Sequence, residues 1–194
     1  FATRSRNIQK KAADEEGDGD GGTASGANAI GHAFRMVQMG HARRAIAGGY
    51  DALCEMVFAG FDSLNALSTT APRPFAIDRD GLALGEGASL FCIERLEDTN
   101  ARGGKIYAEI GGYGATTDLH HLTQPHPNGD AALVTMRKAC NGAHINPADV
   151  GYINSHGTGT PLNDSAEANA INRWAGAFAD KIAVSSTKGG IGHL

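Results

Sequence analysis

Apolar residues along this chain recur with two different periods, and the alternation between them outlines the architecture. In ANAIGHAFRMVQM (27–39), Ala27, Ile30, Phe34 and Val37 share one face at helical spacing, and Gly40 stands where such a helix would end. His32 faces away from that stripe and reads as a surface or packing histidine. ARRAIAGG (42–49) is strand-like, ALCEMVFAGF is helical, and Ala88–Ile93 is a compact apolar run of strand type. Gly104–Gly114 reads as a further long strand. Asp130–Asn141 is a helix with Leu133, Met136 and Ala139–Cys140 on its apolar side, and a strand follows at 150–154. A helix is predicted from Asp164 to Ala179 with Ala166, Ala170, Ile171 and Trp174 inward, and a last strand at Ile182–Ser185. Asp164 has the chemistry of an N-cap with Glu167 at capping-box spacing. Strand–helix alternation of this kind indicates α/β architecture, with helices covering mixed sheets.

Two stretches carry candidate chemistry. YINSHGTGTPLND (152–164) is a short strand running into His156 and a Gly/Thr/Pro turn. IAVSSTKGGIGHL (182–194) repeats the design and holds His193. Strand ends in open α/β folds collect ligands and catalytic groups, and imidazole changes charge near neutrality. Two histidines in such contexts suit proton handling or the stabilisation of a developing anion. The plainer reading of each is a loop hydrogen bond.

Composition narrows the field. Among 194 residues 41% are apolar, glycine occurs 27 times, and the formal charge is −4. The irregular glycine spacing excludes collagen, and mild acidity without a basic patch argues against a nucleic-acid partner. No uninterrupted apolar run reaches the ~18 residues of a membrane span. Cys54, Cys92 and Cys140 are odd in number and lie in apolar segments, which predicts buried thiols in a reducing compartment. The loop carrying His120, His121 and His126 lacks helical metal-ligand spacing and is interrupted by proline, so a substrate-side loop is favoured over a metal site. Leu82–Gly87 is a glycine-rich bend without the pattern of a phosphate-binding loop. Residues 1–22 hold four basic and then five acidic residues with no apolar period, which predicts a disordered or surface segment. The chain starts at Phe1 and stops at Leu194 just after GIGH, which suggests a piece of a longer protein.

The motifs resemble those of a known family. NSHGTGTPLNDSAEANAI and VSSTKGGIGH are similar to the two histidine signatures of the β-ketoacyl-acyl-carrier-protein synthases, condensing enzymes of the thiolase-like superfamily. ASGANAIGHAFRMVQMG resembles the stretch after their nucleophile. AGFDSLNALST, RPFAIDRDGLALGEGA and DLHHLTQPHPNG follow in the family's order, from about Gly22 to Leu194. The resemblance implies a thiolase-like layered α/β fold, incomplete at both ends. Residues 1–22 would lie outside it, 23–103 would be the remainder of an N-terminal half, and 104–194 the start of a C-terminal half.

It also implies an activity. An acyl group arrives on phosphopantetheine, passes to an active-site cysteine, and is condensed with decarboxylating malonyl-acyl-carrier protein to give a 3-oxoacyl thioester. His156 and His193 match the pair that stabilises the enolate oxygen, Lys188 the motif lysine, and Glu167 the supporting acidic residue. Lys188 also reads as an ordinary paired surface cation. No bound cofactor is implied, since the phosphopantetheine belongs to the carrier-protein substrate. The expected partners are acyl-carrier protein and a second synthase subunit, identical or different, and the expected location is cytoplasmic, with an organellar lumen left open. Thr23 stands at the position of the family's nucleophilic cysteine. A threonine hydroxyl is protonated at neutral pH and lacks thiolate reactivity. That departure keeps two other readings in play: a nucleophile-lacking malonyl decarboxylase or non-elongating heterodimer partner, and a non-catalytic binding protein.

Overall fold

The computed structural model describes residues 25–121 and 123–194. Thr23 and the expected disordered segment 1–22 lie outside the described residues. Helix α1 (Ser25–Gln38) leads into strand β1 (Arg44–Asp51), helix α2 (Glu55–Ser63), strand β2 (Gly87–Glu94) and the short helix α3 (Leu96–Ala101). The second part holds α4 (Asp130–Gly142), β3 (Tyr152–Asn154), α5 (Pro161–Ala175), β4 (Ala183–Ser185) and the single-turn α6 (Lys188–Ile191). The described residues thus form an α/β fold with one antiparallel ladder, β1 on β2, and one parallel ladder, β3 on β4.

Each ladder is set by what its faces meet. Helix α1 lies on the β1–β2 ribbon along the face of Ala45, Ala47 and Gly49, and an added Cβ on Gly49 would sit 2.9 Å from the Cα of Gly26. Only glycine permits that approach of helix to strand. The opposite face carries Ile46, Tyr50, Leu90 and Cys92, since partners in an antiparallel register share a face. In the second part, Leu133, Met136 and Cys140 of α4 meet Ile153 of β3 and Ala170, Ile171, Trp174 and Ala175 of α5, with Ile182 closing the cluster. The apolar stripes read from the sequence for the second part are the surfaces that meet, whereas on α1 the buried residues are Gly31, Ala33 and Val37, so of the predicted stripe only Val37 is buried.

Several expectations need correction. Gly104–Gly114 forms no ladder among the described residues. Its glycines press instead on α4: a Cβ on Gly112 would fall 2.1 Å from the Ala139 carbonyl oxygen, and one on Gly114 would fall 2.4 Å from that of Thr135. The fourth helix of the prediction begins earlier, at Pro161, and from Gly176 the chain tightens into a 3-10 turn through Lys181. Thr160 is its N-cap and Pro161 its first residue, so Asp164 and Glu167 are not a capping box there; a capping box forms at Asn146 and Asp149. The buried-thiol expectation holds for Cys140 alone, because Cys54 and Cys92 are exposed. Cys92 lies on the same face of the β1–β2 ribbon as Ile46, Tyr50 and Leu90, which are exposed among the described residues, so apolar neighbours in sequence do not bury it. Among the described residues, no helix is long and apolar enough to cross a membrane.

Candidate active site

The first histidine is delivered by the parallel ladder. Pairing ends at Asn154–Ser185, and the Ser155 amide still donates to the Ser185 carbonyl at 2.8 Å. The chain then turns through Gly157 and Gly159, with φ of 43° and 85°. A side chain at Gly157 would start 2.5 Å from the Cβ of Ser186, so both backbone angle and space demand glycine. Once past the strand, His156 is gripped through its own backbone. Its amide donates to Glu167 Oε1 at 2.7 Å, and the Gly157 amide donates to Oε2 of the same carboxylate at 2.8 Å. Its carbonyl accepts from Lys188 Nζ at 2.8 Å and from Ser186 Oγ at 3.1 Å.

His193 is held by a different device. Its amide donates to the Ala83 carbonyl at 2.7 Å, and its carbonyl accepts from the Gly85 amide at 2.8 Å, a parallel bridge to Leu84 in the glycine-rich bend. The function of that bend is therefore close backbone approach: a Cβ on Gly85 would fall 2.2 Å from the Ile191 carbonyl oxygen. The two imidazoles meet edge to face with centroids 5.7 Å apart, and Phe61 of α2 packs on His193 at 5.3 Å. His156, Glu167, Lys188 and His193 are all at most 8% exposed. Burying a carboxylate and an ammonium is costly unless both are hydrogen-bonded, and here each is spent on the backbone of one histidine from opposite sides.

Four of the five residues singled out in the sequence thus converge, and the fifth, Thr23, is outside the described residues. Three more contributors were missed. Asp164, 1% exposed, accepts the Gly159 amide at 3.2 Å and the Phe75 amide at 2.7 Å, tying the histidine turn to the RPF turn of the first half. Arg79 donates to the carbonyls of Thr160 and Pro161 and to Ser165 Oγ, at 3.2, 2.8 and 2.7 Å. Ser186 holds the His156 carbonyl, as noted. The signal for Asp164 was present, an acid next to an apolar helical stripe, but local spacing assigned it to a cap. Further out, Asp80 accepts from Ser68 Oγ at 2.6 Å and from Thr69, and the Ser68 hydroxyl foremost among these donors holds its carboxyl below the usual range. This fastens the segment after α2 to the residues before Gly81, whose carbonyl lines Gly159. Among the described residues no group of three His, Cys, Asp or Glu side chains is placed to hold a metal ion. The loop histidines His120 and His126 instead stack edge to face at 4.8 Å.

Chemically, two buried imidazoles presented side by side offer N–H donors or a proton-transfer pair to an oxygen between them, in a site where hydrogen bonds to a developing anion are strong. Comparison with known proteins places this geometry. The profile for the Beta-ketoacyl synthase, N-terminal domain matches residues 20–99, and that for the Beta-ketoacyl synthase, C-terminal domain matches 107–194. The chain is 48% identical over 177 residues to 3-oxoacyl-[acyl-carrier-protein] synthase 2 of Staphylococcus aureus, an alignment covering 88% of this chain and 44% of that protein. Among solved structures, it is similar to a type II polyketide ketosynthase bound to the hexaketide in complex with its acyl-carrier protein, with TM-score 0.84, 35% identity and coverage of 88% and 44%. It is also similar to the ishigamide ketosynthase/chain length factor, with TM-score 0.81, 35% identity and coverage of 87% and 41%. The chain therefore spans less than half the length of these relatives. With both halves of the family pattern matched in order, and its two histidine segments folded against each other, this chain belongs to the β-ketoacyl synthase family of thiolase-like condensing enzymes.

Proposed function

We propose that the protein to which this chain contributes is a 3-oxoacyl-[acyl-carrier-protein] synthase, carrying out decarboxylative condensation in fatty acid or polyketide biosynthesis. The observation that carries this reading is the contact of His156 and His193, with His156 clamped at its amide by Glu167 and at its carbonyl by Lys188. In the reaction, the bond between the malonyl α-carbon and its carboxylate breaks and CO₂ leaves. The electron pair passes to the α-carbon and the thioester oxygen. The imidazole N–H donors of His156 and His193 stabilise that enolate, while Glu167 and Lys188 are positioning residues that fix the angle of the first ring. The α-carbon then attacks the carbonyl carbon of an acyl thioester; the C–S bond of that thioester breaks, its thiolate leaves and takes up a proton, and the 3-oxoacyl thioester remains on the carrier. Acyl-carrier protein is the macromolecular substrate, its phosphopantetheine arm supplying both thioesters, and a second synthase subunit is the expected assembly partner. The odd number of cysteines, three in all, fits a reducing compartment such as the cytoplasm.

Thr23 favours a second reading, in which the chain decarboxylates malonyl-acyl-carrier protein without forming an acyl-enzyme, as a non-elongating subunit would. One experiment addresses both. With malonyl-acyl-carrier protein, CO₂ release is expected and is expected to fall by about 10²-fold or more in His156→Ala and in His193→Ala. Acyl adducts on position 23, followed by intact mass, are expected with Thr23→Cys and not with Thr23. CO₂ release indifferent to both histidines would overturn the enolate role. An adduct on Thr23 itself would overturn the second reading.

A further inference from the structure

The turn that leads into α4 contains two alternative hydrogen bonds competing for one nitrogen. His126 Nδ1 accepts the Asn128 amide at 3.2 Å, which requires that nitrogen to be unprotonated. The same Nδ1 lies 3.5 Å from Oδ2 of Asp130, the first residue of α4, which can only accept. One atom cannot serve both: a bare Nδ1 binds the Asn128 N–H, and a protonated Nδ1 must release it and turn its N–H to the carboxylate. We propose that His126 is a proton-operated latch, exchanging the Asn128 amide for the Asp130 carboxylate when it takes up a proton.

The surroundings make the exchange one of hydrogen bonds and not of a drifting loop. Asp118 accepts the backbone amides of His120 and His126 at 2.9 and 2.8 Å, bonds that do not involve the ring nitrogens, so the ring is anchored at its own backbone. The Gly129 amide closes the turn on the His126 carbonyl at 2.7 Å. The charged and titratable groups facing the ring are His120 and Asp118 from its own loop, Asp130 from α4, and Arg173 from α5 through Asp130. Arg173 donates to Asp130 Oδ1 at 2.6 Å and to the Asn128 carbonyl at 2.8 Å. That guanidinium, with the His126 charge adding to it, holds the Asp130 carboxyl below its usual range, so the acceptor is ionised wherever an imidazole titrates. The neighbouring His120 ring meets the His126 ring edge to face, with centroids 4.8 Å apart.

The latch bears on α5. Asn169 Nδ2 donates to the Pro127 carbonyl at 3.0 Å, and Gly129 packs on Ala166 so closely that a Cβ would fall 2.2 Å from its carbonyl oxygen. Glu167, one residue on, is the carboxylate that grips His156. The proton on His126 thus changes the contacts of the turn seated on the helix that orients the buried histidine.

The latch is tested on the full chain by NMR between pH 5 and 8 at low salt, following the His126 ring nitrogens and the Asn128 amide. Neutral His126 is expected as the Nε2–H tautomer, and the Asn128 amide is expected to shift with the ring's own midpoint. Asp130→Asn, at an exposed position, is expected to lower that midpoint, because the protonated ring loses its charged acceptor. The Asn128 shift is expected to persist in His120→Gln and to vanish in His126→Gln. A neutral ring protonated on Nδ1, an Asn128 amide still titrating in His126→Gln, or an unchanged midpoint in Asp130→Asn would each overturn the proposal.

Discussion

Glu167 offers the sharpest test of how the site is built, because its carboxylate is spent on two backbone amides and its removal has a calculable consequence. The amides of His156 and Gly157 are buried and donate to Oε1 and Oε2 at 2.7 and 2.8 Å. Glu167→Ala strips both donors of this acceptor in a site that is 7–8% exposed at Glu167 and His156. A buried donor stripped of its partner costs about 1–3 kcal/mol, so the pair predicts a loss of about 2–6 kcal/mol. Glu167→Gln keeps one carbonyl oxygen and sets an amide –NH₂ against the other N–H. It should lose about half as much, and it keeps the volume of the side chain. Urea unfolding of the two variants measures the difference, and amide hydrogen exchange locates it. Protection is expected to fall at His156 and Gly157 before it falls at the α4–α5 core. If Glu167→Ala lost less than about 1 kcal/mol, or if Gln and Ala were equal, the clamp would not hold this turn.

Two further outcomes follow from the same structure. Glu94, whose side chain is 6% exposed, binds Arg102 and, at 2.8 Å, Arg44; the Arg102 guanidinium chiefly lowers its carboxyl from 4.5 to about 2. Because the folded value lies below the ordinary one, the stabilisation is complete above about pH 4.5 and fades as pH falls towards 2, and denaturant midpoints across that window should flatten in Arg102→Ala. Leu133→Ala in the α4–α5 core, at 3% exposure, should cost about 2–5 kcal/mol in the same unfolding assay, against about ±0.5 kcal/mol for the exposed Val134→Ala one position on.

What was legible in the sequence was local. Apolar spacing identified α1, α4 and the inward face of α5, since a helix repeats its buried side every turn and no partner need be known to read it. The glycines at 157, 159 and 192, which flank His156 and His193, were readable as turn positions because positive φ is available cheaply only to glycine. His156, Glu167, Lys188 and His193 were identified as a group only through resemblance to a family, since nothing in spacing says that positions so far apart meet. The tertiary structure decided which partner each polar group took. Glu167 sits where a local cap was expected and instead reaches back to two amides of the preceding turn. Asp164 joins Phe75 to Gly159, and Gly104–Gly114 lies on α4 instead of pairing. Cys92 is exposed although its neighbours are apolar. In each case the outcome depends on what stands across a gap in space: hydrogen bonds and burial are properties of pairs of surfaces, and a single segment carries only its own half.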